Sequence, residues 1–160
     1  PKVFRRYRDV RFSKDKSPFK THVAAVIVGK GGHDAGAPAA LYVHLGVDEG
    51  AGAGHWIMQP GQLTKFRKLA ADARGGLELR KRVEALKKKG FKVEAFESLK
   101  RVPPGFDPAH PNAELLKLKG LGLTFPKIPA AVRFKAGLAK WLVARSAEAA
   151  PLVTWLDQRL

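Results

Sequence analysis

The residues with the most evident chemistry stand near the start of the chain, in the run Arg5-x-x-Arg8-Asp9-x-Arg11, followed by Asp15-Lys16. A carboxylate can hold one guanidinium by a bidentate bond and leave another free for a ligand oxyanion. Arg5, Arg8 and Arg11 with Asp9 therefore read as an anion or phosphate pocket, with Lys16 as a further point charge. Asp15 could pair with it as a loop salt bridge, worth little if exposed. The competing reading is a buried Arg–Asp network that docks this segment onto the rest of the fold. A second basic motif, Lys100-Arg101, precedes the rigid turn Val102-Pro103-Pro104-Gly105, and Lys119 follows further on. Together these cations are expected to converge on one anionic group.

Tyr42 and His44 are two residues apart in an alternating apolar segment, so they share one face of a strand. A phenol beside an imidazole suits acid–base work near neutral pH, with His44 as the proton carrier and Tyr42 at its side. The plainer alternative is a polar patch beneath a helix. Gly50-x-Gly52-x-Gly54 lacks dinucleotide-binding spacing and reads as a hairpin turn. No histidine pair has helical ligand spacing, so no metal site is expected, and no cofactor motif appears. Trp56, Trp141 and Trp155 lie in apolar patterns and read as packing residues.

Short elements must position these groups. Apolar, β-branched runs predict strands over 22–28, 41–47 and 55–58, with further strands over 91–99 and 121–125. Helical periodicity follows Pro60, breaks at Gly75-Gly76 and resumes to Lys89. A short helix over 113–119 is expected to be capped by Asn112, and two more are expected over 130–144 and from Pro151 onward. The order predicts an α+β fold: an antiparallel sheet of about four to five strands with helices packed on one face. Residues 1–160 read as one domain.

The chain has 160 residues, with 30 Lys and Arg against 14 Asp and Glu, a formal charge of +16. That field attracts anions, nucleic acid among them, but speaks to encounter and not to function. Cysteine is absent, which excludes disulfides and thiolate chemistry. Neither a membrane-spanning run nor a secretory signal appears, so a cytoplasmic protein with no membrane partner is expected.

The arginine motif, extended through Phe12, Asp15, Lys16 and Phe19, resembles the signature of a mainly bacterial family, domain of unknown function 2461. Tyr42-x-His44, Gly52-x-Gly54-x-Trp56 and Leu99-Lys100-Arg101-Val102-Pro103 are similar to further segments of it. Phe19 stands where the family usually has Tyr. The resemblance covers nearly the whole chain and implies a fold relationship without an activity. It also implies an N-terminal helical segment ahead of Pro1. Three functional expectations follow: an anion-binding domain, an enzyme acting on a phosphorylated or acidic small molecule through His44, and a nucleic-acid-binding protein.

Overall fold

The computed structural model describes residues 2–5, 7, 11, 19–28 and 38–160. Among these residues six antiparallel strands form one sheet in the order β1-β2-β3-β4-β6-β5. They are β1 (Lys2–Val3), β2 (His22–Val28), β3 (Ala39–Gly46), β4 (Gly50–His55), β5 (Lys92–Glu94) and β6 (Leu121–Thr124). The helices are α1 (Pro60–Ala71), α2 (Ala73–Lys88), α3 (Ala113–Lys117) and α4 (Gly137–Asp157). The α+β class holds; the sheet has six strands among the described residues, against the expected four to five.

Register assigns the two faces. Val43 pairs with Ala51, Ala53 with Leu123, and His55 with Leu121. These positions point to the helices and join one core with Phe66, Leu79, Val83, Leu152 and Leu156. Tyr42 pairs with Gly52, and His44 with Gly50. Gly52 pairs with Thr124, and Glu94 with Gly122. These residues occupy the face turned away from the helices.

The glycine-rich segment is a correction to the turn expected there. Gly50–His55 is strand β4, and Trp56 and Ile57 have already left the sheet. Alternation explains it: Ala51 and Ala53 are small enough to lie under α4, at 5% and 1% exposure, while the glycines take the other face. Only Gly54 of the three glycines has φ in the left-handed range, at 116°.

Helix boundaries also differ from expectation. Gly75-Gly76 does not break a helix. Asp72 does, because its carboxylate accepts the backbone N–H groups of Arg74 and Gly75 at 3.0 and 2.6 Å and so caps α2. Asn112 does not cap α3 with its side chain. Its Nδ2 donates instead to Ala70 O and Gly76 O, at 2.8 and 2.9 Å, tying the end of α1 to the start of α2. The two expected C-terminal helices are one. Pro151 removes an N–H from the ladder of α4, yet buried Ala149, Leu152, Val153, Trp155 and Leu156 hold the helix continuous against the core.

Candidate functional site

The glycines of β4 and β6 leave a trough across the helix-free face, and a tryptophan lies in it. A Cβ added at Gly122 would come within 2.4 Å of the Trp56 ring, and one at Gly52 within 2.7 Å. The indole therefore rests flat on the strands, where only glycine leaves room for it. Phe96 stacks on it at 5.3 Å between centroids and 25° between planes. On the other side of the trough Tyr42 and His44 stand side by side at 5.5 Å, as their spacing predicts. Phe4 meets Tyr42 edge-on at 6.5 Å, and His22 meets His44 at 5.6 Å.

These groups enclose a cleft of about 690 Å³ lined by Phe4, Tyr42, His44, Trp56, Glu94 and Phe96, over the backbone of Gly50 and Gly52. Its volume falls in the range of small-molecule sites, roughly 300–1,000 Å³. Burial lowers the His44 pKa from its ordinary 6.5, and the neighbouring His22 lowers it further; Asp48 and Glu49 act in the opposite sense. The imidazole is therefore neutral at pH 7 and able to accept a proton. Its Nδ1 is shielded from solvent and has no hydrogen-bond partner among the described residues, and the same holds for Trp56 Nε1. At the far wall Thr124 Oγ1 donates to Glu94 Oε1.

A second depression, about 440 Å³, adjoins the cleft through Phe4, which lines both. Its other walls are Lys2, Val3, Arg5, Tyr7 and Lys20. Tyr7 and Phe19 pair here as an isolated antiparallel bridge, their rings 5.3 Å apart. A third cavity, about 600 Å³, lies on the helix side between α4 and β2–β3, walled largely by apolar groups such as Ile27, Leu41, Ala53 and Val143.

The sequence-derived candidates are distributed as follows. Tyr42 and His44 share the cleft, and Arg5 lies at the β1 edge beside it. Arg11 is exposed and engages a neighbouring group. Arg8, Asp9, Asp15 and Lys16 lie outside the described residues. Lys100 and Arg101 are exposed and follow β5 at the opposite edge of the sheet. Lys119 pairs with Glu97 at 2.6 Å, and this contact holds the Glu97 carboxyl below the usual carboxylate range. The described cations therefore do not all meet: one group borders the cleft, and the other lies beyond its far end.

Sequence reasoning missed Trp56, Phe96, Glu94 and Thr124. Trp56 is a correction, since it lies on the helix-free face and not in the core. The available signal was the period-2 glycines at 50, 52 and 54 with Gly122, which mark a strand carrying something flat.

Among the described residues no group of acidic or histidine side chains is placed to hold a metal ion, and no helix is long and apolar enough to cross a membrane. Comparison with curated proteins and with solved structures found no match. The family model described as conserved hypothetical protein, DUF2461, matches residues 1–155, and with nearly every position of its strands, its helices and this cleft inside that match, the chain belongs to the DUF2461 family.

Proposed function

We propose that this chain is a binding domain for a small acidic ligand with a flat, apolar body. The body lies in the cleft between Tyr42 and the Trp56–Phe96 pair, and the acidic group lies toward Lys2, Arg5 and Lys20. The observation that carries this reading is that Phe4 walls both the aromatic cleft and the basic depression. From β1 to β4 is three strand spacings. At ~4.8 Å each, that is a span of about 14 Å, the scale of a mononucleotide. Aromatic walls supply contact area, while the cations supply charge-assisted hydrogen bonds.

Isothermal titration of the chain with guanosine, adenosine and their 5′-monophosphates tests this. The monophosphates should bind and the nucleosides should bind at least tenfold more weakly. Arg5→Ala should cost about 1.5–3 kcal/mol of monophosphate binding, the usual worth of a hydrogen bond to a charged group. Equal affinity for phosphorylated and unphosphorylated forms would overturn the reading.

His44 favours a second reading, in which the bound ligand is also a substrate. A neutral imidazole in a cleft next to a phenol can take a proton from a bound group while the cations stabilise developing negative charge. In that case His44→Gln would abolish turnover and leave monophosphate affinity within about threefold.

A further inference from the structure

Helix α4 is buried on one side only. Leu142, Ala149, Leu152 and Leu156 recur at helical spacing and pack into the core. The outer side of such a helix ordinarily carries charged residues. Here the exposed positions between residues 141 and 156 are Val143, Ala144, Ala147, Ala150, Pro151 and Thr154. None of them is charged, in a chain of net charge +16. Val143 is 67% exposed. Arg145 and Glu148 flank this face and are paired with each other at 3.1 Å. The helix-side cavity runs along the same face: Val143 and Ala150 wall it, and Ile27 across it is itself exposed. Apolar surface left open in this way marks an interaction site.

Opposite charges close the two ends of the face. Lys140 stands at its start and Asp157 at its end, both exposed. Asp157 approaches His55 Nε2 at 3.5 Å, yet its side chain remains 47% exposed. Lys140 has no ion-pair partner among the described residues. In order the stripe reads Lys140, Val143, Ala147, Ala150, Thr154, Asp157, in alternating steps of three and four residues. That is the spacing of a helix-pairing seam. It is also symmetric about the midpoint between Ala147 and Ala150. Laid against its own reverse, it sets Ala147 on Ala150, Val143 on Thr154 and Lys140 on Asp157. Two-fold interfaces require such reciprocal contacts, and the small central side chains let the helix axes approach.

We propose that α4 is a self-association surface, on which a second copy of this chain packs its own α4 antiparallel, with Lys140 of each copy paired to Asp157 of the other. At ~1.5 Å per residue the two charges stand about 25 Å apart along the helix. A partner of unrelated sequence would need two opposite charges at that same separation, whereas a second copy has them by symmetry. Burial of the apolar stripe supplies the affinity, and the charged ends set the register. The cleft on the helix-free face stays open in this dimer, so the proposal stands apart from the binding reading.

Sedimentation equilibrium at physiological salt, where repulsion between the two basic copies is screened, tests this. A monomer–dimer equilibrium is expected over micromolar to submillimolar concentrations. Ala147→Glu places a charge at the centre of the seam and should weaken dimerisation at least tenfold. Lys140→Glu should weaken it about tenfold, although it lowers the net positive charge of each copy and so reduces general repulsion. Adding Asp157→Lys to Lys140→Glu restores opposite charges and should return the affinity to within about threefold of the unmodified chain. Circular dichroism and thermal unfolding verify that each variant is folded. A monomer throughout that range, or a dimer indifferent to Ala147→Glu, would overturn the proposal. A dimer that Lys140→Glu strengthens would overturn it as well, because general repulsion and not the Lys140–Asp157 pair would then govern association.

Discussion

At the scale of single residues, the helix-free face is set by what Trp56 and His44 demand of their neighbours. Burial and His22 disfavour the charged form of His44, so its folded-state pKa lies below the ordinary 6.5 of the unfolded chain. The stability associated with the neutral ring is complete above 6.5 and is lost as pH falls through the folded value. Thermal unfolding between pH 7.5 and 5 should therefore show a decline that His44→Gln reduces. At Gly122 an alanine methyl would collide with a rigid ring, so Gly122→Ala should cost about 1–3 kcal/mol, the usual range for overpacking. Chemical denaturation checks this, and the cost should shrink in a Trp56→Ala background, because the colliding ring is gone. The Tyr42–His44 pairing was legible because strand alternation is local. The place of Trp56 was not, since its flanking Ile57 and Met58 read as a strand and its floor includes Gly122, distant in the chain.

Among elements, the informative cases are those in which a side chain serves a segment other than its own. Asn112 stands before α3, but its amide holds α1 to α2 through the carbonyls of Ala70 and Gly76. It is 4% exposed, so Asn112→Ala leaves two carbonyls without that donor. Unfolding free energy should fall by roughly 2–6 kcal/mol, given ~1–3 kcal/mol for each unsatisfied buried group. Asp72→Ala, at an exposed N-cap, should cost about 1 kcal/mol. The helical periodicity of α1 and α2 was legible, because Phe66, Leu79, Val83 and Leu86 recur on the faces that are buried. The boundary between them was not, because paired glycines suggested a break where a close approach was the cause: a Cβ at Gly76 would lie 2.4 Å from Ala70 O and 2.8 Å from Asn112 Nδ2. Strand β4 was misread for a related reason. Glycine has low intrinsic strand preference, and here the need for an empty trough outweighs it.

For the molecule as a whole, the sheet has two unlike edges and two unlike faces. The α+β class followed from the order of strands and helices, which needs no tertiary knowledge. The proposed binding depends on the distribution of charge over the helix-free face, and the sequence hides it, because β1 and β5 are far apart in the chain and at opposite edges of one sheet. The net charge of +16 predicts weak, salt-sensitive attraction of any polyanion. Binding at a defined site should differ: guanosine monophosphate affinity should fall by less than about tenfold between 50 and 200 mM salt, against the far steeper loss of multi-phosphate contacts. The most direct measurement is a ¹H–¹⁵N NMR titration of the chain with guanosine 5′-monophosphate. Saturable shifts at Tyr42, His44, Gly50, Gly52 and Thr124, with the Trp56 indole N–H among them, are the predicted result. Shifts confined to the exposed lysines of α2 or to the helix-side cavity beside Val143 would contradict a ligand site on the helix-free face.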